Sequence, residues 1–539
     1  MPVEVSYTTW GLMCIAVVLP VCWLITQNKR KRSWEFYGVK DVRFPAKGFV
    51  DFRQVSWGND CQVLHDVCDS TQRAGCAEVI AQHGDTVGVS GFKMMLISRD
   101  VELLRQILVK DFNNFTDRAV SAATVSPVQH GLFFLEGKNW RRMRHILSPS
   151  FSTGKLKHMC STIDQAARRL TLVLESLAKK GELLPVKKIT GQYTSEIIAR
   201  TGFGLETHCL GEEDDEFTRL TKGFLKIHNP FMNAVIMALI FVPTFHRFLA
   251  KTLRLGVFDH MDLNADKYFK HILNTTVTER QDMMRRGDQT PKDLLQSLIQ
   301  AKELGDHDAE ALNDVATSQS WDDLPKNMSE EELMGQSMLI LFAGFETTST
   351  TLQFCLYLLA QHQDVQEKVY QEILTQLKSD TPTHEELNKL TYMEQVVDET
   401  LRLYPPIPII TRKALETKTY GGVTIPKGTW IFAVLEQVMK DPKHFPEPDK
   451  FDPERFSEEN VSKRDSLSFL PFGSGPRLCI GMRLAYLELK MALVHVLRKI
   501  KVELNDKTEP KPDQKPKITF HVILVADKPI ELALTLRDQ

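Results

Sequence analysis

The sequence predicts a mainly α-helical chain with a small β region, and three observations carry that expectation. Helical patterning dominates from about residue 100 to 415. Short apolar runs between glycines, as in Asp85–Gly91 and Met94–Ile97, read as a strand hairpin. Ser329-Glu330-Glu331-Glu332 fits a capping box, and the apolar pattern behind it runs well past residue 350, which makes one long helix the spine of the fold. With 539 residues, 42% of them hydrophobic, the chain can bury a large core. A net charge of −2 gives no sign of nucleic-acid binding. There is no repeat of fixed period and no low-complexity tract.

Taken in order, the chain opens on an uncharged stretch, Ser6 to Asn28, almost wholly apolar from Trp10 to Ile25. About 20 such residues span a bilayer, and Pro20 is tolerated there. Lys29-Arg30-Lys31-Arg32 follows at once, so the basic end is expected on the cytosolic side. A cleaved signal peptide would need a positive start and a small-residue cleavage site, and neither is present. Residues 1–28 are therefore read as a single-pass anchor, 29–50 as a basic linker and 51–539 as the catalytic unit. The nine cysteines are scattered and odd in number, which suits a reducing compartment better than a disulfide framework.

Further on, the acidic turn Glu212–Glu216 precedes a greasy run, Ala234–Val242. Nine residues are too few to span a membrane; a buried helix and an access lid dipping into a membrane surface both fit. Residues 303–327 are acidic and polar and read as a surface loop. At the end of the chain, Ile518–Leu536 alternates in part and reads as a hairpin turning at Asp527-Lys528-Pro529.

The most telling segment is Phe472-Gly473-Ser474-Gly475-Pro476-Arg477-Leu478-Cys479-Ile480-Gly481. Gly473, Gly475 and Gly481 permit a loop whose N–H groups point at the cysteine sulfur, and a helix expected from Met482 adds its positive end. Such donors lower a thiol's pKa and tune any metal it holds. Ala343-Gly344-Phe345-Glu346-Thr347-Thr348 puts a glycine, an acid and an alcohol inside the long helix. Glycine there costs about 1 kcal/mol, worthwhile where something large approaches the backbone, and the acid–alcohol pair can deliver protons. Glu399 and Arg402 lie three apart among Val396, Val397, Leu401 and Leu403, so the pair is expected to be buried. Trp140 and Arg144, four apart, share a helix face that can hold one anionic group. Lys138, Arg141 and Arg142 flank that helix and form a candidate basic patch for an acidic partner.

Phe472 to Gly481 matches the pattern Phe-x-x-Gly-x-Arg-x-Cys-x-Gly, and so resembles the haem-binding signature of the cytochrome P-450 family. The segment at Ala343–Thr347 is similar to that family's oxygen-activation motif, Glu399-x-x-Arg402 to its Glu-x-x-Arg pair, and Phe451–Phe456 to the segment whose arginine, here Arg455, joins that pair. Ser148–Lys157 and Phe472–Met482 most resemble the microsomal drug- and steroid-oxidising branch. Only Pro45 stands where membrane members carry a proline-rich hinge.

The resemblance implies a long central helix over a buried haem b. Cys479 would be its axial thiolate ligand, a donor that favours O–O cleavage. Phe472, Ala343 and Gly344 would line the haem, and Trp140, Arg144, Arg477, Arg412 and Arg118 would serve its propionates. Thr347 would hold the bound oxygen and its water chain, with Glu346 linking that chain to solvent. Glu399, Arg402 and Arg455 would be structural. The implied reaction inserts one atom of O2 into a lipophilic substrate (steroid, fatty acid or xenobiotic) with electrons from NADPH. They would pass through a membrane flavoprotein reductase, with cytochrome b5 as a further partner, at the endoplasmic reticulum membrane. Pocket walls are expected from Ala119–Leu132, Leu339–Phe345, Pro406–Ile410 and Thr519–Leu524, which are mostly apolar. The alternatives are a peroxide-rearranging isomerase of the same family and a non-catalytic haem sensor; the Glu346–Thr347 pair speaks against both.

Overall fold

The computed structural model describes residues 39, 41–42, 72–89, 94–119, 127–207, 209–211, 216–222, 263–304, 324–325, 327–520 and 523–537. The expected anchor, the linker apart from residues 39 and 41–42, the 234–242 segment and most of the 303–327 loop lie outside the described residues. Among the described residues no helix is long and apolar enough to cross a membrane.

Helices dominate, as the patterning requires. Six of them position the site: α1 Gly137–Leu147, α2 Thr153–Lys180, α3 Val186–Ile197, α4 Glu330–Gln361, α5 Thr391–Leu403 and α6 Met482–Lys499. The capping box is formed: Ser329 Oγ accepts the Glu332 N–H at 3.1 Å, and Glu332 Oε2 accepts the Ser329 N–H at 2.9 Å. Two orphan donors are thereby satisfied at the start of a 32-residue helix. Every residue of α4 from Thr348 to Ala360 is buried. A helix apolar on all sides must lie in the core, and here α2, α3, α5 and α6 contribute to the same cluster, with Ile163, Tyr193, Leu356, Val397 and Leu493 at its centre.

Among the described residues the β region has twelve short strands: β1 Asp41–Val42, β2 Thr86–Val89, β3 Met95–Ser98, β4 Leu184–Pro185, β5 Ile409–Lys413, β6 Lys418–Tyr420, β7 Val423–Ile425, β8 Trp430–Val434, β9 Ile500–Glu503, β10 Ile518–Phe520, β11 Leu524–Ala526 and β12 Glu531–Leu536. The expected hairpin is β2–β3, antiparallel, with Val87 opposite Ile97. It sits within a five-stranded sheet of order β1-β2-β3-β8-β5.

The C-terminal expectation needs correction. The hairpin is β10–β11, closed between Phe520 and Leu524, and β12 does not pair with it. After Asp527–Pro529 the chain leaves for a second sheet, where β12 runs antiparallel to both β9 and β4. The reason is burial. Leu532 on β12 joins Leu184, Ile500, Val502 and Ile530 in the large core, which a small surface hairpin could not offer.

Candidate active site

Cys479 stands at the end of a loop that is closed before any cofactor is considered. Its N–H donates to the Phe472 carbonyl at 3.0 Å, and the Leu478 N–H donates to the Gly475 carbonyl at 2.9 Å. Gly475, at φ +70°, has its Cβ direction 1.8 Å from the Leu108 carbonyl oxygen, so only glycine fits. Gly473 is also left-handed, at φ +77°. Gly481 departs from expectation: its φ is −89°, and a Cβ would meet no protein atom within 4 Å. What Gly481 supplies is its N–H, which with that of Met482, at the start of α6, points at the sulfur.

Burial raises the Cys479 thiol pKa; the Gly481 and Met482 amides and the Arg144 and Arg118 guanidiniums pull it back. The side chain is nevertheless solvent-accessible. Desolvation together with accessibility describes a sulfur that faces an enclosed space, not the outer surface. Burial also raises Cys76 and Cys355 to about 12 and Cys160 to about 11, with no arginine facing any of them. A bound metal ion would deprotonate the Cys479 thiol outright.

Around that space the structure gathers arginines for which no ion pair is formed among the described residues. Arg412, on β5, is 2% exposed, and its Nε has no hydrogen-bond partner. The Nε atoms of Arg118 and Arg477 are buried and unpartnered as well. Burial pushes Arg412 well below the usual arginine range and Arg118 adds repulsion. Burial likewise lowers Arg477, with Arg118 and Arg412 adding to it and Asp117 and Glu136 only partly offsetting it. Burial takes Arg118 down to about 10. Arg477 lies over the Trp140 ring at 4.6 Å, and Arg118 over Phe133 at 4.1 Å. Mutually repelling guanidiniums with orphaned donors are costly unless an anionic group joins them. A haem, with two propionates and an iron for the sulfur, fits this donor set.

The mid-section of α4 borders the same region. Ala343 and Thr347 lie one turn apart on an accessible face, and Thr347 Oγ1 donates to the Ala343 carbonyl at 2.7 Å. Ile480, next to Cys479, packs against the same apolar cluster that holds Leu341 and takes Phe342 of this stretch. Gly344 is explained by packing within the protein: a Cβ there would lie 3.0 Å from Ile198 Cδ1. Glu346 Oε1 pairs with Lys187 Nζ at 3.2 Å, while Oε2 is buried without a partner. Lys187, on α3, also donates to Ser349 Oγ and Thr350 Oγ1, each at 2.8 Å. No sequence signal pointed to Lys187, because it is 159 residues away from Glu346. Buried Glu488, on α6, was missed for the same reason; its carboxyl accepts from the Thr348 hydroxyl and burial pushes it up to about 8.

Among the described residues the expected wall segments are tied in two pairs. Gln336 Nε2 donates to the His130 carbonyl and its Oε1 accepts the Leu132 N–H, each of these bonds under 3 Å, which ties 127–132 to α4. The Leu524 N–H donates to the Pro406 carbonyl at 3.0 Å. Ile410 approaches the Cβ direction of Gly473 to 3.9 Å.

Behind the loop, Glu399 and Arg402 are both 0% exposed and joined twice, at 2.6 and 2.8 Å. Arg455 Nε approaches Glu399 Oε1 at 3.5 Å, so the expected triad is assembled. The basic patch is not. Arg141 is buried and donates to Asn113 Oδ1, and Arg142 is buried against Glu332 and the Pro325 and Asn327 carbonyls. Only Lys138 of the three is exposed. The two arginines fasten α1 to its neighbours, because their charges find carboxylate and carbonyl acceptors inside the fold.

Comparison with known proteins follows the same lines. The cytochrome P450 family profile matches residues 72–534. Mouse cytochrome P450 3A41 is 32% identical over 465 residues, covering 86% of this chain and 86% of that one. Pig cytochrome P450 3A29 is 34% identical over 466 residues, 85% and 86% of the two chains. Lithocholate 6-beta-hydroxylase of the golden hamster, Mesocricetus auratus, is 32% identical over 447 residues, 83% of each.

Proposed function

The chain belongs to the cytochrome P450 family and is a haem-thiolate monooxygenase using haem b, and from that premise we propose how its own residues carry the reaction and on which substrates. Cys479 would hold the haem iron through its thiolate, and the bound haem would supply the activation of O2 with electrons that originate in NADPH. Arg118, Arg412 and Arg477, with Trp140 and Arg144, would hold its propionates. The single observation that carries this reading is the set of buried, mutually repelling guanidiniums with orphaned nitrogens beside an accessible, arginine-faced cysteine.

Thr347 and Glu346 handle protons. Thr347 Oγ1 already donates to a carbonyl, so its lone pairs are free to accept. Glu346 Oε2 has no partner and is available to pass a proton on. Glu399, Arg402 and Arg455 brace the cysteine loop from behind.

The substrates are lipophilic, of the steroid and xenobiotic class. The apolar wall segments support this, as does a lithocholate hydroxylase among the relatives. The apolar run before Lys29–Arg32 supports a single-pass anchor over residues 1–28 and a basic linker over 29–50, with the catalytic unit on the cytosolic face of the endoplasmic reticulum. The electron donor in that setting is a membrane flavoprotein reductase, with cytochrome b5 as a second.

The test is reconstituted turnover with a microsomal reductase and a panel of lipophiles. An NADPH-dependent gain of one oxygen by a steroid or xenobiotic is expected. Thr347→Ala should consume NADPH while releasing peroxide; full coupling in that variant would remove Thr347 from the proton path. A Cys479→Ser protein that keeps the thiolate spectrum of its reduced carbon monoxide complex would overturn the ligand assignment.

A further inference from the structure

The loop that carries Cys479 is steadied by a contact outside the motif. Phe472 has two attachments: its carbonyl accepts the Cys479 N–H at 3.0 Å, and its ring meets the Tyr486 ring at a centroid distance of 5.4 Å and an angle of 44°. Tyr486 lies on α6, one turn beyond its start. Its hydroxyl donates to Asp398 Oδ1 at 2.5 Å. Asp398 lies on α5, directly before Glu399, whose carboxylate is clamped by Arg402. A rigid path thus runs from the buried ion pair through Asp398 and Tyr486 to Phe472 and the Cys479 amide.

Burial raises the phenol of Tyr486 well above its ordinary value and raises Asp398 to about 7, so the tyrosine donates to a carboxylate at pH values above that. The charged groups facing Asp398 are Glu394 on its own helix, Lys490 on α6 and Arg464; Lys490 is paired with Glu394. Nothing in the proton path or the arginine cluster uses Asp398 or Tyr486.

We propose that Tyr486, anchored by Asp398, is a positioning residue for the thiolate ligand: it fixes the Phe472 ring, and through the Phe472 carbonyl the peptide that orients the Cys479 sulfur. Hydrogen bonds and packing around a ligating sulfur tune the metal and hold the ligand in place. The inference rests on Cys479 being the axial ligand, and its test separates the two.

The experiment uses the full-length haem-loaded protein and the variants Tyr486→Phe, Asp398→Asn and the double variant. Tyr486→Phe keeps the ring and removes only the anchor. The readouts are the decay of the thiolate band of the reduced carbon monoxide complex to the non-thiolate form, and the haem reduction potential. Measured above the Asp398 value of about 7, where that carboxyl is ionised, loss of one hydrogen bond to a charged acceptor corresponds to about a tenfold change. Tyr486→Phe is expected to lose the thiolate band about tenfold faster than wild type and to shift the potential, with haem content unchanged. Asp398→Asn should act in the same direction, and the double variant should be no worse than the worse single variant, as for groups acting through one contact. A Tyr486→Phe protein with wild-type band lifetime and potential would overturn the proposal, even if it melted earlier, because packing alone would then explain the contact. Additive effects in the double variant would overturn it too. A wild type with no thiolate band would overturn the ligand assignment itself, and the inference with it.

Discussion

Replacing Arg402 with methionine keeps the length of the side chain and removes its charge and its donors. In the native fold Arg402 donates to both oxygens of Glu399, at 2.6 and 2.8 Å, and to the carbonyls of Met439 and Lys450, at 3.1 and 3.2 Å. The variant leaves a carboxyl at 0% exposure with only the Asp452 N–H at 2.9 Å and Arg455 at 3.5 Å, and it strips both carbonyls of that donor. Breaking one partner of a buried ion pair costs about 3–5 kcal/mol, and each orphaned carbonyl adds on the order of 1 kcal/mol. The sum, roughly 5 kcal/mol or more, is comparable to the whole stability of many domains, about 5–15 kcal/mol.

The deficit has a sign in pH. Burial already raises the Glu399 carboxyl, and losing Arg402 raises it further, so the variant can escape part of its cost by protonation. A folded-state pKa above the unfolded one means that stability is kept at low pH and lost as pH rises, so Arg402→Met should fall further behind wild type as pH is raised. Urea unfolding of the haem-loaded protein at several pH values, with haem content measured alongside, is the assay. Arg455→Met serves as the comparison, since Arg455 makes one longer approach to Glu399 and one bond to the Glu447 carbonyl; about 1–2 kcal/mol is expected for it. A loss below about 1 kcal/mol for Arg402→Met, with full haem content, would refute the reasoning.

Two further outcomes are expected. Alanine at the three loop glycines should rank Gly475 worst, because a backbone carbonyl lies 1.8 Å from its Cβ position and cannot swing aside. Gly473 should be mild, at about 1 kcal/mol for its positive φ, and Gly481 should leave the protein fold unchanged; urea midpoints of the three in any other order would contradict the geometry. Glu488, raised by burial from 4.5 to about 8, should make the wild type lose stability as pH climbs between those values, by on the order of 4 kcal/mol; Glu488→Gln should flatten that slope, and a thermal melting series showing an unchanged slope would remove Glu488 as its source.

Local chemistry was legible where one short segment carried the whole reason. The capping box at Ser329–Glu332, the helix beginning at Met482 and the Glu399–Arg402 spacing each rest on residues a few positions apart, and each is formed as read. The cysteine motif was legible for the same reason, because its turn and its N–H donors are built by consecutive residues. The misreadings share a different cause. Arg141 and Arg142 look like a basic surface in sequence, yet Asn113, Glu332 and the Pro325 and Asn327 carbonyls await them across the fold. Asp527–Pro529 looks like a hairpin turn, yet Leu532 gains more burial beside Leu184 and Val502 than a local strand could give it.

The sequence by itself determined the family, the loop around Cys479 and the helical frame, because periodicity, caps and turns act over one or two turns of chain. Tertiary structure alone decided which charges meet. Lys187 reaches Glu346, Tyr486 reaches Asp398, and Arg118, Arg412 and Arg477 converge without a carboxylate of their own. Those pairings span from 65 to more than 350 residues of sequence, and burial sets their energies, a property no residue has until the chain has folded.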